Sequence, residues 1–135
     1  MRDLKSDIDV DVMLDHGQLT ATKTDAPIYD TKGAQGHVLV IYVPIVTTAD
    51  GSNYFEFKLF EGDDPLLADA TEVSADDLLG VAPVVNDPSQ AGGLFKFGYR
   101  GYKTFLRVQP TENGNADIEA SAIVVRGHLE DWPSA

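Results

Sequence analysis

Apolar and polar residues alternate with a period of two along several short segments of the chain. Near its start, Ile8, Val10 and Val12 alternate with aspartates, which is typical of a strand with one polar face. Runs rich in β-branched and aromatic residues predict further strands at Leu19–Lys23, Val38–Val46, Tyr54–Phe60, Leu94–Tyr99, Phe105–Gln109 and Ile118–Arg126. Asp50-Gly51 and Asn113-Gly114 are turn signals, and they predict hairpins between the strands that flank them.

Helical signals are almost absent. Ser74–Leu79 begins with a capping residue and predicts one helical turn, which Gly80 would end. The pattern therefore predicts an all-β fold: an antiparallel β-sandwich or jelly roll of about seven to eight strands with at most one short helical turn. We expect residues 1–135 to form a single domain with short arms at 1–6 and 127–135.

The charge balance narrows the choice of partners. The chain carries 22 acidic and 10 basic residues, for a net charge of −12, so phosphate backbones and anionic membranes would repel it. The longest apolar run, Val38–Val46, contains Pro44 and is too short to span a bilayer as a helix. With no signal-like N-terminus and no cysteine, we expect a soluble protein made in a reducing compartment.

Acidic residues provide two candidate metal sites. Asp7, Asp9 and Asp11 match the first ligands of an EF-hand loop, but Val12 and Gln18 stand where glycine and glutamate are required. These aspartates better fit the solvated face of an edge strand, whose charges discourage further pairing. The second candidate is a hard-cation site formed by acids predicted in loops and caps, where acids are common without a ligand: Asp63, Asp64, Asp76, Asp77 and Asp87.

The sequence shows no recognisable catalytic constellation. His16, His37 and His128 have no metal-binding spacing, and there is neither a thiol nor a Gly-x-Ser-x-Gly motif. We therefore predict no catalytic residue, no cofactor and no metal, and a protein that is not an enzyme.

One segment concentrates positive charge in this acidic chain. Lys96, Arg100, Lys103 and Arg107 lie among aromatic residues, with no acid between Pro88 and Thr111. Alternate aromatics must face the core, so the open alternatives are core alone or core plus an interface. On the second alternative, Arg100, Tyr102 and Lys103 contact an acidic partner surface from a bend flanked by glycines. The terminal arms add Arg2, Lys5 and Trp132 as candidate contacts.

The chain also resembles a known family in four segments. These are Ser6–Val10; Phe57–Asp64, followed by Ala75–Gly80; Phe97–Val108, the most specific; and Ala122–His128, with Pro133 behind it. In this order they are similar to small virion proteins of tailed bacteriophages, often encoded near the major capsid protein. The family usually has a basic residue where Thr104 stands and a loop where Pro44 stands.

The resemblance implies a β-sandwich or jelly roll and a head decoration or cement protein on the virion head, made in the host cytoplasm. Its partners would be the major capsid protein and neighbouring copies of itself, as a homo-oligomer on the particle. The resemblance supplies no site residues. A tail or neck component of the virion and a carbohydrate-binding β-sandwich module are the alternatives.

Overall fold

The computed structural model describes residues 8–31 and 34–129 of the chain. Ten β-strands account for most of these residues: β1 (Ile8–Leu19), β2 (Tyr29–Asp30), β3 (Ala34–Thr48), β4 (Tyr54–Gly62), β5 (Thr71–Glu72), β6 (Leu78–Leu79), β7 (Val84–Val85), β8 (Gly93–Tyr99), β9 (Phe105–Asn113) and β10 (Asp117–Leu129). Two 3₁₀-helices, Ala75–Asp77 and Pro88–Gln90, interrupt the loops. Within the described ranges, no helix is long and apolar enough to cross a membrane.

The strands form two antiparallel sheets. The first sheet has the order β1-β10-β3-β8-β6, and the second has the order β2-β9-β4-β5, with β7 also paired to β4. Alternate side chains of the long strands face the space between the sheets, because successive residues of a strand point to opposite faces. The fold is therefore an all-β sandwich, as the sequence pattern predicts.

The core fills the space between the two sheets. Each long strand contributes a buried row with period two, such as Leu39, Ile41 and Val43 in β3 and Phe55, Phe57 and Leu59 in β4. β10 contributes Ile118, Ala120, Ala122 and Val124. This two-layer packing leaves one face of each sheet directed outward.

The predicted hairpins are wrong in their pairing. The Asp50-Gly51 turn connects β3 to β4, and the Asn113-Gly114 turn connects β9 to β10, but each turn passes from one sheet to the other. Gly114 has the expected positive φ of 76°, whereas Asn113 does not, so no type I′ turn forms. Local turn chemistry is the same whether the chain folds back within a sheet or crosses between sheets.

Pro44 lies inside β3, a central strand, where a missing N–H would ordinarily break the ladder. The register between β3 and β10 shifts at this point, because Tyr42 pairs with Ser121 while Ile45 pairs with Glu119. The shift inserts one extra residue into β3. Such a bulge accommodates the proline, and it keeps Val43 facing inward and Ile45 facing outward.

Three details differ from the sequence prediction. The structure has ten strands instead of seven to eight: the predicted strand at Leu19–Lys23 is wrong, since Leu19 ends β1 and residues 20–23 form no strand, and four two-residue strands have no detectable period. It has two 3₁₀ turns instead of one, since Asp87 and Gln90 form an unanticipated capping box around Pro88–Gln90. Residues 127–129 of the predicted C-terminal arm belong to β10, where Gly127 pairs with Gly36. The remaining predicted arm residues lie outside the described ranges.

Candidate functional site

The fold places the four bases of the basic segment in three separate parts of the sandwich. Lys96 lies on the outward face of the first sheet, because β8 belongs to that sheet. Arg107 lies on the outward face of the second sheet, in β9. Arg100 and Lys103 lie in the connection between these strands, at the end of the sandwich. The four bases therefore do not form one continuous patch.

Arg100 and Lys103 are both held by contacts within the chain. The Arg100 backbone N–H donates to the Asp77 carbonyl at 2.9 Å, and its Nε donates to the Asp76 carbonyl at 3.0 Å. Lys103 Nζ lies 3.2 Å from Asp63 Oδ2. Lys103 and Thr104 next to Asp63 lower the pKa of that carboxyl. These contacts hold the connection between β8 and β9 against residues 63–77. They also occupy much of the hydrogen-bonding capacity of Arg100 and Lys103.

Tyr99 anchors the same connection from inside the sandwich. Its hydroxyl donates to Glu61 Oε1 at 2.7 Å and accepts from the Lys103 backbone N–H at 3.1 Å. Burial, together with the Glu61 carboxylate, raises the pKa of Tyr99, so the ring stays neutral and remains a donor. Gly101 passes so close to this ring that an added Cβ would overlap it.

Of the other predicted contact residues, Tyr102 is 98% exposed at the tip of this connection. Arg2, Lys5 and Trp132 lie outside the described residues. Tyr102 is thus the one predicted contact of the basic segment whose side chain is fully available to a partner.

The acidic residues proposed as a cation site act separately. Asp63 binds Lys103, Asp64 accepts from the backbone N–H groups of Leu66 and Ala68, and Asp87 caps a 3₁₀-helix. Across the described ranges, no three acidic or histidine side chains are grouped closely enough to hold a metal ion.

The aspartates of β1 lie on an edge strand, as predicted, and two of them face a cation. Arg126 Nη2 is 2.7 Å from Asp9 Oδ2 and 3.6 Å from Asp11 Oδ2. The same guanidinium lies 5.5 Å from the centre of the Tyr29 ring, whose hydroxyl is 2.9 Å from His37 Nδ1. Because β2 carries Tyr29 and β3 carries His37, this cluster joins the two sheets at one end of the sandwich.

The largest feature outside the core is the outward face of the first sheet, here called the outer face. Its side chains form rows across the strands. One row runs Val10, Val125, Val38, Gly98 and Leu79, and the next runs Val12, Ile123, Val40 and Lys96. A third row joins Ser121, Tyr42 and Leu94. Nearly every position in these rows is apolar.

Exposure confirms how much apolar surface this face presents. The described residues include eleven large hydrophobic side chains that are exposed, and eight of them lie on the outer face: Val10, Val12, Val38, Tyr42, Ile45, Leu79, Leu94 and Ile123. Their exposed fractions range from 37% to 70%. A contiguous apolar patch of this kind typically marks an interaction surface.

The outward face of the second sheet provides an internal comparison. Its corresponding rows pair Glu56 with Thr111 and Lys58 with Gln109, and Lys58 approaches Glu56 and Glu72 at 3.9 and 4.0 Å. That face combines these polar and charged side chains with the partly buried Tyr54 and Phe60. The two outward faces of the sandwich thus differ in chemistry, and the first presents the more continuous apolar surface.

A shallow groove lies within the outer face. It has a volume of about 500 Å³ and is lined by Val40, Tyr42, Leu94, Ser121, Ala122 and Ile123. Lys96, paired in register with Val40, stands beside it. Among the described residues Lys96 makes no ion pair. An apolar groove with one free cation is complementary to an apolar segment that carries a carboxylate.

The sequence prediction gave the basic segment and the terminal arms as candidate contacts and did not include the outer face. The signal was present in Val38–Val46, whose nearly unbroken apolar run predicts a strand covered on both faces. The described residues cover only one face of this strand. Comparison with family models, with curated proteins and with solved structures finds no match to this chain.

Proposed function

We propose that this chain is a structural protein of a bacteriophage virion that carries out no reaction and attaches to the head as a decoration or cement protein. Two observations support the proposal. The four sequence segments described above resemble such proteins, and the outer face of the first sheet is an apolar surface that no other described part of the chain covers. The apolar outer face is the observation that supports a role as a protein-binding module.

Attachment would be driven mainly by covering the outer face. Removing about half of eight large apolar side chains from water contributes roughly 6–12 kcal/mol, at about 1.5–3 kcal/mol for each fully buried side chain. Association itself costs about 4–15 kcal/mol, so a single contact is of modest affinity. Many copies on a regular shell convert such contacts into stable attachment.

Stabilisation of the shell follows from this binding by mass action. A protein that binds the assembled shell, and not its free subunits, shifts the equilibrium toward assembly. Contacts within the sandwich hold one of its ends, since Tyr99 and Arg126 lie in the same row of paired residues there. The connection at Tyr102 is then a secondary contact at the rim of the interface.

The test is co-sedimentation of the purified chain with undecorated heads, assembled from the capsid protein encoded beside its gene. Val10→Asp puts a charge on the outer face at an edge strand, where it should weaken binding at least tenfold, or about 1.4 kcal/mol. Leu66→Asp is the matched control, because Leu66 is 80% exposed in a loop away from the outer face. Equal binding by Val10→Asp and wild type, with both folded, would contradict the proposal.

A further inference from the structure

The outer-face groove and residues 130–133 are complementary in polarity and charge. We propose that the Glu130–Pro133 segment of one copy docks into the groove of a neighbouring copy. Trp132 would lie against Tyr42, Leu94 and Ile123, and Glu130 or Asp131 would pair with Lys96. The inference rests on the proposed function, because it assigns an occupant to part of the same outer face.

The groove has the features that such a segment requires. Its lining is apolar, its volume of about 500 Å³ is ample for an indole ring, and Leu94 at its edge is 70% exposed. Tryptophan is among the residues most enriched at the centre of protein interfaces. Trp132 is the only tryptophan of the chain, and it follows directly after two acids and precedes a proline.

Charge favours the Glu130–Pro133 segment as the occupant of the groove. Lys96 makes no ion pair with another described residue, and its neighbours in the rows of the outer face are mostly apolar, in a chain of net charge −12. Two copies meeting face to face would bring two strongly negative bodies together. An acidic aromatic segment instead supplies both the carboxylate and the apolar anchor.

Chain length places the segment on a neighbour and not on its own sheet. Six strand residues separate Leu129 from Ile123, a distance of about 20 Å along β10. Trp132 lies three residues beyond Leu129, so its Cα reaches at most about 11 Å from there. The groove extends further from Leu129, to Ser121 and its partner Tyr42. A segment that fills the groove therefore comes from another copy.

The test uses tryptophan fluorescence. The full-length Trp132→Ser variant contains no tryptophan, so the fluorescence of a synthetic peptide spanning residues 127–135 reports only on the peptide. We expect a saturable blue shift when this variant is added. Adding Leu94→Asp to it should weaken peptide binding at least tenfold, and Lys96→Glu at least fivefold, whereas Leu66→Asp should change it less than twofold.

Sedimentation of the full chain gives a second readout, in which self-association should be lost in Trp132→Ser. A blue shift that is absent up to millimolar concentration, or that persists with Leu94→Asp, overturns the inference. Self-association that survives Trp132→Ser and is lost in Leu94→Asp also overturns it, in favour of face-to-face dimers. Val10 lies outside the groove lining, so the two proposals can be tested separately. If the peptide does not bind but Val10→Asp still weakens binding to particles, only this inference is contradicted.

Discussion

Replacing Tyr99 by phenylalanine tests how the end of the sandwich is held. The ring is buried, and its hydroxyl accepts a hydrogen bond from the connection between β8 and β9. The substitution removes one oxygen and leaves the packing of the ring unchanged. It deprives Glu61 of a donor at 2.7 Å and the Lys103 N–H of an acceptor at 3.1 Å.

The expected loss follows from these two bonds. A hydrogen bond to a charged group contributes about 1.5–3 kcal/mol, and a neutral one about 0.5–1.5 kcal/mol. Water can replace part of both, because Glu61 is only half-buried and Lys103 is exposed. We therefore expect a loss near the lower end of the combined range, about 2 kcal/mol in the free energy of unfolding. For a domain of this size, that lowers Tm by roughly 6–10 °C.

The assay is thermal and urea unfolding followed by near-ultraviolet circular dichroism. Tyr102→Phe is the matched control, because it removes the same atom from a ring that is 98% exposed, and it should change stability by less than about 0.5 kcal/mol. If Tyr99→Phe unfolds within about 0.5 kcal/mol of wild type, the hydroxyl does not hold the connection, and our account of this end is wrong.

Three further predictions concern stability. Burial, and secondly Arg126, lower the pKa of His37 below 6.5, so the unfolded chain binds the proton more tightly than the folded chain does. The free energy of unfolding should therefore fall as pH drops through 6.5. In urea unfolding between pH 7 and 5.5, His37→Gln should make this dependence on pH weaker. Gly101→Ala should cost about 1–3 kcal/mol because its Cβ overlaps Tyr99, and a wild-type Tm would refute that overlap. EDTA should leave Tm unchanged; a fall of several degrees would reveal a bound cation.

The fold class could be predicted because it depends on local patterns. Alternation in β1 and β4, and the burial of Phe97, follow from a period of two that survives in any sheet arrangement. Sheet membership could not be predicted in the same way. Asn113-Gly114 specifies a turn, but whether β10 returns beside β9 or joins the other sheet depends on long-range packing.

The proposed interaction surface could be predicted only in part, for a related reason. The sequence pattern of β3 is the same whether its apolar residues are covered by the same chain or by a partner protein. Val38 and Tyr42 therefore predicted a strand buried on both faces. Lys96 and Arg107 are eleven positions apart and indicated one basic patch, but their strands lie in opposite sheets. Charge clustering in the sequence therefore did not become clustering in space.

The central claim is that the outer face of the first sheet meets the virion shell. The most direct measurement is photo-crosslinking on decorated heads, with a benzophenone amino acid placed at position 10 on that face or at position 109 on the outward face of the second sheet. Our account predicts crosslinks to the shell protein from position 10 and none from position 109. Crosslinks from position 109 with none from position 10 would show that the polar face docks instead, and would contradict the account.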